Sequence, residues 1–573
     1  MKRKMLSLSL IIFILSPLSA LAQTDEQNKT EQVAQDAHQV ALERVGIDNT
    51  KQLALSMHQA IAMALEKNRD IEIERLNIQQ SEYELFAARG AYDPVVGSTI
   101  GFQSRTVPVA SILAGGANGT LTTRTLTYDF SARQQMQAGG GNFNLLLTNS
   151  RATSNNSFVS LDPQFSNFLS LTFTQPLLRN FRIDQNRRLI KIAKRRLDIS
   201  DAQFKQRVMD IIANVQRAYW ELVYALRNVQ VQKDGVEWAK KQLEINRRMV
   251  AAGALAPVEI VAAEAEVEGR EESVLIAVEG VTRAENQLKG LILPDRSSPL
   301  WNSAIVPTET DEPAPGTLDL NEAVRIALSN RPELEQLRLQ KEINEIDSEY
   351  FRNQIRPQVD IFGSYGITGV AGSLRDRPNP FTSFNTVLLD RVNLLSTASG
   401  LTPLVPPQTA GVPGFLIGGQ GRALANLFGN DFRDVRFGVT ISLPLRNRAA
   451  EANLGRSLAA GRSINLQREK IEQAVEIEVR NALQAVRTAQ KRVESAAAAR
   501  RASEQQLASE MRQYEAGETT NFLVLTRQNA LSAARARELR AQVDYNKALA
   551  DLQRAMAVTL NLYNVQVSPR PTQ

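Results

Sequence analysis

The chain has 573 residues, carries 67 Lys plus Arg against 61 Asp plus Glu, and contains two His and no Cys. Without cysteine it can hold no disulfide framework, thiolate nucleophile or zinc–thiolate cluster, and His38 and His58 alone cannot build a multi-His centre. No metal site, no cofactor and no enzyme built on such groups is therefore expected. The formal charge of +6 falls to +3 once Lys2, Arg3 and Lys4 are set aside with a removable leader, too small a surplus to indicate a nucleic-acid partner.

Residues 1–22 are laid out as a signal peptide: Lys2, Arg3 and Lys4, an apolar run over 5–15, and Ala20, Leu21 and Ala22 before Gln23. The run is shorter than the ~20 residues of a spanning helix, and no later segment reads as one, so export across an inner membrane is expected. Residues 23–52 form a polar, Gln-rich tail with no assigned function.

From residue 53 the chain is written twice. LSMHQAIAMAL at 55–65 aligns with LDLNEAVRIAL at 318–328, an offset of 263 that holds for about 40 residues and sets Ala60, Ala64, Leu65, Pro94 and Val96 opposite Ala323, Ala327, Leu328, Pro357 and Val359. Farther on the offset is 264: Ile211, Val215, Ala218, Leu222, Ala225 and Val229 meet Val475, Val479, Ala482, Val486, Ala489 and Val493. Both series step 4, 3, 4, 3, 4, the rhythm of a heptad seam. The repeats are bounded at 53–293 and 318–563, with 294–317 expected as a Pro-rich exposed linker and 564–573 as a C-terminal tail.

Each repeat is expected to open a helix, near 57 and 320, with a capping box, Ser56-x-x-Gln59 and Asp319-x-x-Glu322. A helix of about 35 residues leads to a proline and alternating strands, then to a helix of about 69, a turn at Gly253 or Gly517, and a return of about 36 to 42, the long helices filling 184–292 and 448–560. At 1.5 Å per residue the longest helices measure roughly 100 Å and the shorter ones roughly 50 to 60 Å, so two short helices end to end match one long one. The expected fold is mainly α with β: long-helix hairpins in an α-barrel.

The strands are read where the apolar period falls to two: 95–106, 124–133, 142–149 and 168–175 in the first repeat, 357–368 and 434–445 in the second. At about ten residues, with one apolar and one small or polar face, they suit a wall between lipid and water. Of 20 Phe, eight lie between 90 and 181 and eight between 350 and 440, as interface girdles would require. A few strands cannot close a barrel and lipid tolerates no open edge, so oligomerisation is expected.

This duplicated layout resembles the TolC-type outer-membrane efflux family over about residues 53–563. The likeness is carried by LNEAVRIALSNRPEL at 320–334, RPQVDIFGSYG at 356–366, VTISLPL at 439–445 and YEAGETTNFLVL at 514–525, with weaker first copies MHQAIAMALEKNRDI, DPVVGSTIGF, LTFTQPL and VAAGALAPVEIV. The resemblance implies a homotrimer: a β-barrel completed by trimerisation in outer-membrane lipid, a helical tunnel across the periplasm, and docking through a periplasmic adaptor (membrane fusion protein) onto an inner-membrane pump. Such a protein is a passive exit for efflux or type I secretion and catalyses nothing. The resemblance further makes Ala252, Gly253, Ala254, Ala516, Gly517 and Glu518 the tips that contact the adaptor. It also makes Glu259, Phe522 and Leu523 a candidate pore gate, with the acidic residue expected six positions after each tip glycine replaced by Leu523 in the second repeat.

Two departures stand out. The family normally has two strands in the first repeat where four are read here, the middle pair turning at Gly139, Gly140 and Gly141, and residues 372–432 form a long Pro/Gly-rich loop expected outside the cell or capping the pore. The alternative reading is a periplasmic structural coiled coil without a pore, which leaves the amphipathic strands and their Phe unexplained.

Overall fold

The computed structural model describes residues 44–110, 119–309, 319–375, 380–405 and 411–565. The signal segment, most of the polar tail, the end of the linker and residues 566–573 lie outside these.

The chain divides into two compact units. The first takes Met1–Gln80, Asp198–Leu339 and Asn465–Gln573; the second takes Ser81–Leu197 and Gln340–Ile464. The elements, in chain order, are β1 (Asp48–Leu55), α1 (Met57–Lys67), α2 (Arg69–Arg89), β2 (Val95–Pro108), β3 (Thr120–Gln135), β4 (Asn142–Ser154), β5 (Leu161–Pro176), α3 (Gln185–Ala251), α4 (Val258–Ile292), β6 (Ser303–Pro307), α5 (Leu320–Asn330), α6 (Pro332–Gln354), β7 (Gln358–Leu374), α7 (Pro380–Ala398), α8 (Gln420–Phe428), β8 (Arg433–Ser442), α9 (Arg448–Glu515), α10 (Asn521–Ala555) and α11 (Thr559–Leu562).

In the first unit the seam behaves as its spacing requires. Ile211, Val215, Ala218, Leu222, Ala225 and Val229 are all buried, whereas in the second copy Ala482 and Val493 remain half-exposed beside buried Val475, Val479, Val486 and Ala489. Ala323 and Ala327 of α5 pack with Val475, Val479, Leu483 and Val486 of α9 and Leu549 and Leu552 of α10. The small side chains on α5 let three helices approach closely. The two copies are joined by charge and stacking: Arg535 lies over the Trp238 ring at 4.6 Å and Arg540 over Tyr224 at 4.9 Å, while Arg540 and Lys547 both pair with Glu221.

Several local expectations are corrected. The helices of about 35 residues are each broken in two, at Asn68 and Arg331. Pro332 disfavours helical backbone at Arg331, which is extended, while Asn68 also turns extended, accepts from the Asp70 amide at 2.9 Å and donates to Leu291 O. The capping box forms at Ser56 and Gln59, through bonds of 3.1 and 3.0 Å. At the second site Asp319 accepts from the Asn321 amide instead, and Glu322 is drawn off by Arg325.

The exposed linker also fails in part: β6 is wholly buried and pairs in parallel with β1, so the polar tail enters the fold by Asp48, before residue 53. Beneath this small sheet, fully buried Glu285 accepts from the Ile305 amide at 3.0 Å and pairs with Lys289 at 2.9 Å and Arg44 at 2.5 Å. A buried carboxylate is tolerable only with such partners.

The second unit is built on one antiparallel sheet of six strands, in the order β2-β3-β4-β5-β7-β8. Five of them run 13 to 17 residues, longer than the ten expected. The loop over 372–432 is not structureless: it holds α7 and α8, and α8 packs on β7 and β5. Gly369 makes that contact possible, because a Cβ there would sit 2.2 Å from Ala423 O. Asn426 then donates to Val370 O and Gln420 to Asn167 Oδ1, both at 2.9 Å.

Tyr219, fully buried on α3, donates to Leu55 O and accepts from the Glu309 amide, tying both flanks of the β1–β6 pair to the helices. Burial pushes its hydroxyl up to about 12. Because the folded state favours the protonated phenol, this stabilisation is complete below the ordinary value of about 10 and is lost as pH rises through about 12. Tyr219→Phe is expected to lower stability at neutral pH by about 1–3 kcal/mol through its lost hydrogen bonds. Its stability should then fall less steeply than the parent's between about pH 9 and about pH 12, as thermal melts would read.

Candidate functional site

Side chains of paired residues in an antiparallel sheet share a face, so the register sorts the six strands into two surfaces. One carries Ile100 and Phe102, Leu126 and Phe130, Phe143 and Leu145, Leu169 and Leu171, Ile361 and Tyr365, and Val435, Phe437, Val439 and Ile441. The other carries Thr99, Gln103, Arg105, Thr127, Asp129, Ser131, Arg133, Ser170, Thr172, Asp360, Ser364, Asp434, Arg436 and Thr440. The apolar surface is open: Phe102 is 70% and Phe437 89% exposed. A patch of this extent on a sheet in water would be an aggregation liability; against lipid it is the requirement. The polar surface carries three Arg and three Asp among the residues just named, so the charges along it balance.

Two close fits occur on the polar face, where the Phe168 ring would lie 3.0 Å from a Cβ on Gly366 and the Phe362 ring 2.8 Å from one on Gly438. Phenyl rings laid over cross-strand glycines fix register in a curved sheet.

The helix turns form the second candidate surface. At the end of α3 the Gly253 amide donates to Val250 O and that of Ala254 to Met249 O; at the end of α9 the Gly517 amide donates to Tyr514 O and that of Glu518 to Gln513 O. These are paired Schellman closures, and both glycines sit at positive φ, +76° and +77°, with open space around them. Ala252, Gly253, Ala254, Ala516, Gly517 and Glu518 are all exposed.

Behind these turns lies a cluster that the sequence reading missed. Asn521 Nδ2 donates to Glu259 Oε2 at 2.9 Å, Gln242 Nε2 to Asn521 Oδ1 at 3.1 Å and to Asn246 Oδ1 at 2.9 Å, and Tyr514 OH to Asn246 Oδ1 at 2.9 Å. Four helices, α3, α4, α9 and α10, thus meet through amides, a phenol and one carboxylate. Burial, then the nearby Glu259 charge, holds the Tyr514 phenol above its usual range, so it remains a donor. Of the candidate gate residues, Glu259 is half-buried and bonded into this cluster, whereas Phe522 and Leu523 face outward, 73% and 39% exposed. The available signal was Asn246, a polar residue where the heptad seam, continued from Val229 in steps of 3 and 4, calls for an apolar one.

An amphipathic antiparallel sheet with open edges, joined to duplicated long-helix hairpins, defines the wall-forming chain of a membrane channel. No helix among the described residues is long and apolar enough to cross a membrane. The sequence profile described as "Outer membrane efflux protein" matches residues 131–292 and 323–558, and the chain belongs to that family.

Solved structures with the same fold include the CmeC outer membrane channel of Campylobacter jejuni (14% identity, 87% of this chain and 85% of that one, TM-score 0.58). The outer membrane protein VceC of Vibrio cholerae is similar (15%, 87% and 96%, 0.56), as is the MtrE outer membrane channel of Neisseria gonorrhoeae in its open state (17%, 87% and 88%, 0.53). No curated protein sequence matches the chain. Proteins of this family are channels and not enzymes.

The cluster predicts a specific weakness. Asn521→Ala strips the Glu259 carboxylate and the Gln242 amide of a partner, at about 1–3 kcal/mol for a group left buried and unpaired. Amide exchange at residues 246–259 and 514–524 should accelerate while that of the β-strands stays unchanged; unchanged exchange at the turns would show that the cluster does not hold them.

Proposed function

We propose that three copies of this chain form a passive duct from the periplasm through the outer membrane. In this reading the sheets close a β-barrel in outer-membrane lipid, and twelve helices at any level, four from each chain, wall a tunnel in the periplasm. The observation that carries it is the sheet itself: six strands with one apolar and one polar face, and two edges with no partner among the described residues. A structural coiled coil without a pore would have no use for that surface.

The exposed turns at Gly253 and Gly517 suit end-on contact with a periplasmic adaptor, since small residues around a rigid Schellman closure leave room for an incoming helical hairpin. An inner-membrane pump, coupled through that adaptor, would supply the cargo and the energy, in efflux or type I secretion. Glu259, repeated three times around the axis, would form an acidic ring at the tunnel's periplasmic end and favour cations there, with Phe522 and Leu523 narrowing the opening.

Purified protein added to planar lipid bilayers is expected to give discrete, cation-favouring conductance steps, and Glu259→Gln to reduce the cation preference without abolishing the steps. Steps with unchanged selectivity would remove Glu259 from the gate. An absence of steps from correctly assembled protein would contradict the channel.

A further inference from the structure

Resting on the channel reading, we infer that each chain contributes six strands to the outer-membrane barrel, so that three copies close at eighteen, in place of the twelve that four strands per chain would give. The question turns on the β3–β4 hairpin, which could extend the wall or fold away from it.

Three observations put it in the wall. It is paired along both sides, β3 to β2 from Val95↔Arg133 to Pro108↔Thr120 and β4 to β5 from Asn142↔Thr174 to Ala152↔Gln164. Its apolar residues, Leu126, Phe130, Phe143 and Leu145, continue the apolar surface of the neighbouring strands without a break. Its turn is seated where β5 passes into α3. Gly139 O accepts from Gln175 Nε2 at 2.7 Å, and a Cβ on Gly140 would lie 2.6 Å from Asn180 O and 2.8 Å from the Arg187 guanidinium. Both glycines are at positive φ, so the turn is specified by backbone conformation and by fit.

The geometry of a tilted barrel wall is already present in one chain. The apolar band is centred near Thr99 on β2 and near Gly438 on β8, yet the register carries Thr99 across the sheet to Thr368, beside residue 432. The band therefore slips by about six residues over five strand steps. At ~3.3 Å per residue and ~4.8 Å per strand that is a tilt of about 40°, within the range of membrane barrels.

Six strands at that tilt occupy about 38 Å of circumference. The same unit holds four helix segments, residues 81–89, 185–197, 340–354 and 448–464. At 8–10 Å apart they require about 32–40 Å, a span comparable with that of the six strands. β2 and β8, the two edges, run antiparallel to each other because the strand count is even and every pairing is antiparallel, so β8 of one copy meets β2 of the next in ordinary antiparallel pairing. Eighteen strands close at about 36 Å between opposite backbones, against about 24 Å for twelve. The outer-membrane exit is then as wide as its helical ring, with a polar, charge-balanced lining.

Electron cryo-microscopy of the full chain, extracted from outer membranes in detergent, decides the matter. Three copies around an eighteen-stranded ring about 36 Å wide is the expected result. Three copies around a twelve-stranded ring, with residues 120–154 outside it, overturns this inference and leaves the channel standing. Particles without a closed ring overturn both. A chain lacking residues 120–154 joins β2 to β5 and is expected to narrow the ring by about one third; an unchanged diameter would also refute the assignment.

Discussion

A strand edge cannot be left open in a bilayer. Lipid offers no hydrogen-bond partner, so each unpaired amide and carbonyl on such an edge costs several kcal/mol, and the sheet must close on itself or on copies of itself. Much else in this chain follows from that constraint. The alternation of Leu126, Tyr128 and Phe130 with Thr127, Asp129 and Ser131 separates lipid from water, and the even number of strands leaves two edges that run antiparallel to each other. The glycines beneath Phe168 and Phe362 hold the register of a wall that cannot be repaired from solvent.

The helical part obeys a different economy. Its seams are narrow and rich in Ala and Val, with polar contacts placed among them: Glu285 with Lys289 and Arg44, Arg331 with Glu478 and Glu333, and the Asn246–Asn521–Glu259 cluster near the turns. Such groups add little net stability when paired and cost a great deal when separated. The cluster near Gly253 and Gly517 binds the two hairpins of a chain to each other next to their exposed ends.

What the sequence made legible was periodic. Two heptad series at one offset, six period-two segments and two matched glycines yielded the repeat, the strands and the turns, since each depends on local backbone geometry. The breaks at Asn68 and Arg331 were written in Pro332 and in an Asn able to cap, but the apolar period runs through both and masks them. β6 was missed because five buried residues between a linker's prolines carry no period at all, and β1 because its partner lies some 250 residues away in the chain. α8 and its seat on Gly369 depend on a contact between a loop and a strand that pattern alone does not reveal. The Gln242, Asn246, Tyr514 and Asn521 cluster joins four helices, and only Asn246 breaks the seam visibly.

The central claim is that this sheet stands between lipid and water, β3 and β4 included. The chain's lack of cysteine makes a direct measurement available: single cysteines placed along β3 and treated, in intact outer membranes, with a water-soluble maleimide. The account predicts strong labelling at Thr127, Asp129 and Ser131 and protection at Leu126, Tyr128 and Phe130. Equal labelling on both faces, or labelling confined to the apolar positions, would contradict it.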